Sequence, residues 1–221
     1  MNATIDFVDA RNRMVDGQIR PNRISDPRIL TAMREIPREQ FLPPALRPIA
    51  YVDADIQLGR GRVMMEPLVI ARLVQLLAPV QGERALVVAA GVGYGAALLA
   101  ACGIRVIAME EDPGLLGLAQ AALDTIAPSV RLISGPLAAG WPSEAPYDMI
   151  LLEGAVRQIP PALGPQLRAD AGRLATVLTE LRAACKAVLA EPTPAGLSAR
   201  PMFDCATPPI PSLLPKPVFT F

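Results

Sequence analysis

Residues 85–95 and 106–110 constrain the fold of this chain more than any other stretch. Ala85-Leu86-Val87-Val88-Ala89 is a short apolar run with branched side chains. Gly91, Gly93 and Gly95 follow, interleaved with Val92 and Tyr94, and lead into an alanine-rich segment. A second apolar run, Val106-Ile107-Ala108-Met109, ends at Glu110. The order reads as strand, tight turn, helix and strand, one unit of a parallel α/β sheet. Glycines in such a turn let backbone approach a ligand closely. Glu110 stands nineteen residues beyond Gly91. That is near the offset of about 20 at which a carboxylate meets ribose hydroxyls in nucleotide-binding βαβ units.

The same alternation continues downstream. Strands are predicted at 85–89, 105–109, 130–134, 148–152 and 172–178. Helices are predicted between them at 94–102, 114–125 and 160–167. Residues 183–190 and 196–204 read as an antiparallel hairpin, joined by the Pro192-Thr193-Pro194-Ala195-Gly196 turn. The tail from Thr207 is proline-rich and extended, running to Val218-Phe219-Thr220-Phe221. Upstream, Phe7, Val8, Met14, Val15 and Ile19 recur at helical spacing over 6–19. Asp26-Pro27 is a helix start, with Asp as cap and Pro in the first turn. Pro67 opens a further helix through about Leu77, and 53–63 is a loop or short strand. The fold class is α/β: a doubly wound, mostly parallel sheet with helices on both faces, an N-terminal helical extension and a C-terminal antiparallel hairpin.

Ala85 to Ile104 is uncharged and flanked by Arg84 and Arg105, so a membrane span is the rival reading. Its four glycines and its strand-then-helix composition favour a soluble unit. Lys plus Arg and Asp plus Glu both number 21, so no net field draws the chain to nucleic acid or membrane. Aromatics, at 4%, are too few for a base-stacking platform. Cys102, Cys185 and Cys205 show no metal or disulfide spacing, and point to a cytoplasmic protein with reduced thiols. There is no histidine, which excludes a histidine-ligated zinc, a Ser-His-Asp triad and a Cys-His pair; no metal is expected.

A Gly-x-Gly turn is a weak signal alone. The pyrophosphate fingerprint fails at its sixth position, Ala96. A ligand with ribose and adenine but no phosphate asks less of this loop, and S-adenosylmethionine is one. A turn that only packs helix on strand remains the plainer alternative. Glu110, Glu111 and Asp112 precede Pro113, so they also read as acids favoured by a helix N-terminus.

Several further blocks resemble the protein-L-isoaspartate O-methyltransferase family. Met14-Val15-Asp16-Gly17-Gln18-Ile19 is similar to its opening helix, and Ile36-Pro37-Arg38-Glu39-Gln40-Phe41 to its valine-proline-arginine-glutamate-x-phenylalanine signature. Ala50-Tyr51-Val52-Asp53, Gly59-Arg60-Gly61, Ala145-Pro146-Tyr147-Asp148, Ile159-Pro160 and Gln166-Leu167 continue the match, and the tail resembles a shorter variety. The resemblance implies a Rossmann-like methyltransferase fold. Residues 1–80 are then the helical extension and substrate loop, and 81–221 the cofactor-binding core. It implies methyl transfer from S-adenosylmethionine to the stray carboxylate of an isoaspartyl residue in a protein or peptide. Gly91, Val92, Gly93 and Tyr94 are then the cofactor turn and Glu110 the ribose carboxylate. A carboxylate with a pKa near ~4 is already ionised at neutral pH, so this transfer needs no general base.

Where the family has a Thr-Ile/Val-Ser-Gln-Pro substrate loop, this chain has Val63-Met64-Met65-Glu66-Pro67. Met65 stands at the active-site serine and makes no strong hydrogen bond. Glu66 repels a substrate carboxylate unless protonated, and Arg62 is placed to offset that charge. Met64 and Met65 also read as apolar filler under the N-terminal helix. Ala89 replaces the glycine that opens the cofactor turn, Val87 an acid, and Pro136 the aspartate that meets the adenine. Two functions stay open: a methyltransferase with a rebuilt substrate loop, for this or another acceptor, and a non-catalytic relative that binds a partner.

Overall fold

The computed structural model describes residues 5–179 and 185–215; the first two residues of the expected 183–190 strand and the end of the tail lie outside them. The N-terminal extension opens with helix α1 (Phe7–Met14), capped by the Asp6 carboxylate on the Val8 and Asp9 N–H groups. It continues as a π-helical turn over Val15–Ile19. Helix α2 (Pro27–Glu35) starts at Asp26, whose side chain accepts from the Arg28 N–H, and stops where Pro37 forces Ile36 to be extended. Residues 53–63 hold more order than a loop. Strands β1 (Ile56–Gly59) and β2 (Arg62–Met64) form a small antiparallel hairpin that pairs with no other strand among the described residues. Helix α3 (Pro67–Leu76) follows.

The main sheet begins at β3 (Arg84–Val88). It continues through α4 (Tyr94–Ala101), β4 (Arg105–Glu110), α5 (Pro113–Ile126), β5 (Arg131–Ser134), β6 (Met149–Val156) and β7 (Arg173–Leu178). Strands β8 (Cys185–Thr193) and β9 (Gly196–Cys205) complete it as an antiparallel hairpin on β7. The order is β5-β4-β3-β6-β7-β8-β9, parallel from β5 to β7. The strand order reverses direction at β3, between β4 and β6. Ligands of open α/β sheets sit at such a switch point, beyond the carboxyl ends of the strands.

Side chains alternate across the strands with a period of two. Val87, Ala108, Leu151 and Ala175 join one core with all five helices. Leu86, Val88, Ile107, Met109, Ile150, Leu152 and Leu174 join a second core on the opposite face. That second face carries 3-10 turns rather than α-helices, at Leu137–Ala139, Pro142–Glu144 and Pro161–Gln166. The helix expected over 160–167 is therefore a 3-10 turn. Pro160, Pro161 and Pro165 remove the N–H groups that an α-helical ladder needs there. The apolar run from Ala85 is strand, turn and helix, and no helix among the described residues is long and apolar enough to cross a membrane.

Candidate active site

The strand–turn–carboxylate feature lies at the carboxyl ends of β3 and β4. The chain leaves β3 through Ala89 in a left-handed conformation, φ +59°. An alanine pays roughly 1–2 kcal/mol for that geometry, which a glycine escapes. Gly91 (φ +58°) and Gly93 (φ +91°) then turn the backbone into α4. A Cβ on Gly93 would press on Leu123 of α5 at 3.0 Å. Val92 and Tyr94 are both buried. The Tyr94 ring meets Phe41 edge-on, with centroids 5.5 Å apart, and the Arg38 guanidinium lies 4.7 Å above it. These contacts hold Tyr94, and with it the turn, to the N-terminal extension.

Glu110 ends β4 with no exposed surface. Its Oε2 accepts the Gly91 N–H at 2.8 Å. Its Oε1 accepts the Glu111 and Asp112 N–H groups at 2.9 and 3.0 Å. Asp112, not Glu110, caps α5, on the N–H groups of Gly114 and Leu115. Arg62 completes the set. Its Nη1 donates to Glu110 Oε1 and its Nη2 to Oε2, each at 2.8 Å, and Nη2 also reaches the Ala89 carbonyl at 3.1 Å. Sequence reasoning set Arg62 against the charge of Glu66. The structure pairs it with Glu110 instead, because the β1–β2 hairpin lies over the glycine turn and aims β2 into it.

Met65 is buried in the large core, and its carbonyl accepts Arg38 Nη2 at 2.6 Å. Its side chain joins the large core together with Met64. Glu66 is half-buried, and its N–H donates to Asp55 Oδ1 at 2.7 Å. Burial, with Asp53 and Asp55 adding to it, raises the Glu66 pKa. Of the residues expected in a substrate loop, Arg62 faces the glycine turn, Met65 the core, and Glu66 a group of acids.

Sequence reasoning missed Glu153, the one acid in the wholly buried strand β6. Its signal was visible: a lone carboxylate in the apolar run 149–156. Burial pushes its pKa up to about 8, with Glu110 adding to the rise while Arg62 and Arg38 oppose it. Its Oε2 has no protein hydrogen-bond partner. Gly95 on α4 leaves it room, since a Cβ there would collide with that oxygen. A cavity of about 710 Å³ lies elsewhere, lined by Arg157, Pro165, Leu178, Pro192 and Leu197, and shares no residue with the glycine turn. The buried charges of Arg62, Glu110 and Glu153 gather at the turn and not at that cavity.

The family model for protein-L-isoaspartate (D-aspartate) O-methyltransferase matches residues 9–187. The chain belongs to this family. A protein-L-isoaspartate O-methyltransferase of Methylorubrum extorquens is 42% identical over 169 residues, covering 76% of this chain and 74% of the relative. One from Methanoregula boonei is 41% identical over 167 residues, covering 75% and 76%. Solved structures agree on the fold. A protein-L-isoaspartate O-methyltransferase superposes with a TM-score of 0.78 at 22% identity, over 92% of this chain and 67% of that one. A Plasmodium falciparum chain assigned to the same activity, crystallised with S-adenosyl-L-homocysteine, gives 0.75 at 17% identity, over 95% and 100%.

The residues present fit an adenosyl group in part. The glycine turn, the α4 N-terminus and the position of Glu110 suit a nucleoside. Both Glu110 oxygens, however, are already engaged, by Arg62 and by the backbone N–H groups of Gly91, Glu111 and Asp112.

Proposed function

We propose that this chain is an S-adenosylmethionine-dependent methyltransferase acting on the stray carboxylate of isoaspartyl residues in proteins or peptides. One observation carries this: a chain of that family keeps the Glu110 carboxylate 2.8 Å from the Gly91 N–H, beside two left-handed glycines at a sheet switch point. Gly91 and Gly93 offer backbone, Val92 and Tyr94 anchor the turn, and Glu110 accepts the ribose hydroxyls. When bound, the cofactor supplies an electrophilic methyl group with a neutral thioether as its leaving group. The chain's own task is to orient two partners and exclude water. A substrate carboxylate, with a pKa of about 4, arrives ionised, so no side chain has to take a proton. That agrees with a sequence without histidine.

Residues 59–67 face the substrate in this reading, with residues 1–80 as extension and loop and 81–221 as the core. The three free cysteines agree with a cytoplasmic location. The test is transfer of labelled methyl from S-adenosylmethionine to an isoaspartyl peptide and to its normal-aspartyl twin. Base-labile label on the isoaspartyl peptide alone is expected; cofactor binding without such label removes the acceptor assignment. The Arg62–Glu110 pair and Met65 favour one second reading, a non-catalytic relative that binds a partner through residues 59–67. Failure to bind cofactor at millimolar concentration selects it.

A further inference from the structure

The geometry points to Arg62 as an internal occupant of the ribose position, whose guanidinium competes with the nucleoside for Glu110 and so sets the affinity of the site. This rests on the reading that Glu110 receives the ribose hydroxyls. A carboxylate offers about four lone-pair directions. Glu110 receives five N–H donors: three from the backbone of Gly91, Glu111 and Asp112, and two from Arg62. The three backbone donors belong to the turn and the strand end and cannot leave without unmaking both. The two Arg62 donors sit on a side chain. A ribose cis-diol presents two O–H donors side by side, much as a guanidinium presents two N–H donors. The two groups therefore claim the same pair of oxygens and exclude each other.

Removing a buried carboxylate's only cationic partner is strongly destabilising unless other donors replace it. The diol is such a replacement, but it is neutral, so the exchange opposes binding. The site is thus closed by its own arginine, and the nucleoside must displace it.

The hairpin that carries Arg62 is rooted in the large core through Ile56 and Met64, so the group that exchanges at Glu110 is the Arg62 side chain. Among the described residues, strands β1 and β2 pair only with each other. Gly59, Arg60 and Gly61 all have positive φ, at +93°, +51° and +72°. A second latch holds it to the same acidic run, Arg60 Nη1 to Asp112 Oδ2 at 3.0 Å. Arg60 of that outer pair is largely exposed, so the pair contributes little. The buried Arg62 fork is the stronger hold on the turn.

Calorimetry with S-adenosylhomocysteine on the full-length wild type, Arg62→Gln and Arg62→Lys tests this. Gln is neutral and lacks the fork; Lys keeps the charge but not the paired donors. Arg62→Gln is expected to bind roughly tenfold tighter or more, with Arg62→Lys between it and the wild type. Should Arg62→Gln fail to fold, a tighter Arg62→Lys supports the proposal and an unchanged or weaker one overturns it. Wild-type binding with no gain in either variant overturns the role of Arg62 and leaves the methyltransferase reading standing. No binding by any of the three overturns both.

Discussion

Burial, with the Glu110 charge nearby, pushes the Glu153 carboxyl up to about 8 against the pull of Arg62 and Arg38. The unfolded chain ionises this group near its ordinary value of 4.5. Below 4.5 both states hold the proton, and the group contributes no pH dependence. Between 4.5 and 8 the unfolded chain releases it while the folded chain keeps it, so stability falls as pH rises; above 8 the loss is complete. Glu153→Gln removes this titration. Denaturant unfolding at pH 5 and pH 8 should show the variant gaining on the wild type by roughly 3–4 kcal/mol over that interval. A constant difference at the two pH values contradicts the assignment. The lone acid of β6 was legible as an oddity in an apolar run, but its neighbours were not. Arg38 and Arg62 come from other elements, and no periodicity reports a contact across such distances in the chain. The same holds for the Arg62–Glu110 pair. Both residues were marked from sequence, but their contact depends on where a hairpin folds over a turn.

At the scale of elements, local chemistry announced most of the structure. Asp26-Pro27 and Asp112-Pro113 start helices as cap and first-turn residues do, and the branched apolar runs are strands. What failed to show was geometry set by missing donors. The prolines of 160–165 left a 3-10 turn where the α/β alternation suggested a helix. The π-helical stretch at Val15–Ile19 also had no signal in the hydrophobic period, which α and π turns share over so few residues. The end of α3 shows a local conflict that can be relieved. Ala78 follows the Leu77 cap with φ +42°, exposed, in a position that favours glycine. Ala78→Gly gives up no buried methyl group and removes the left-handed penalty. It should stabilise the protein by roughly 0.5–1 kcal/mol, the strain relieved less the added freedom of the unfolded chain. Chemical denaturation reads this as a higher midpoint, and a lower one sinks the strain argument.

Across the whole molecule, the two edges of the sheet carry different duties. The carboxyl edge holds the glycine turn, Glu110 and Glu153. The amino edge is tied together by Arg173 at the start of β7. Its guanidinium meets the Leu77 carbonyl, donates to the Ala78 carbonyl at 3.1 Å and the Asp148 carbonyl at 3.3 Å, and pairs with both Glu83 oxygens at 3.0 and 2.6 Å. One side chain thus joins the end of α3, the approach to β3 and the entry to β6. Arg173→Met keeps much of the apolar stem but leaves Glu83 and two helix-end carbonyls without this partner. Both charges of the pair are mostly buried, so the change should cost about 2–4 kcal/mol. Urea unfolding should show a lower midpoint with an unchanged slope. Because the glycine turn lies at the opposite edge, the affinity for S-adenosylhomocysteine at a temperature where the variant is folded should stay within about twofold of wild type. An affinity that falls in step with stability would show that the edges are coupled, and that the turn depends on the clamp at the far end of its own strand.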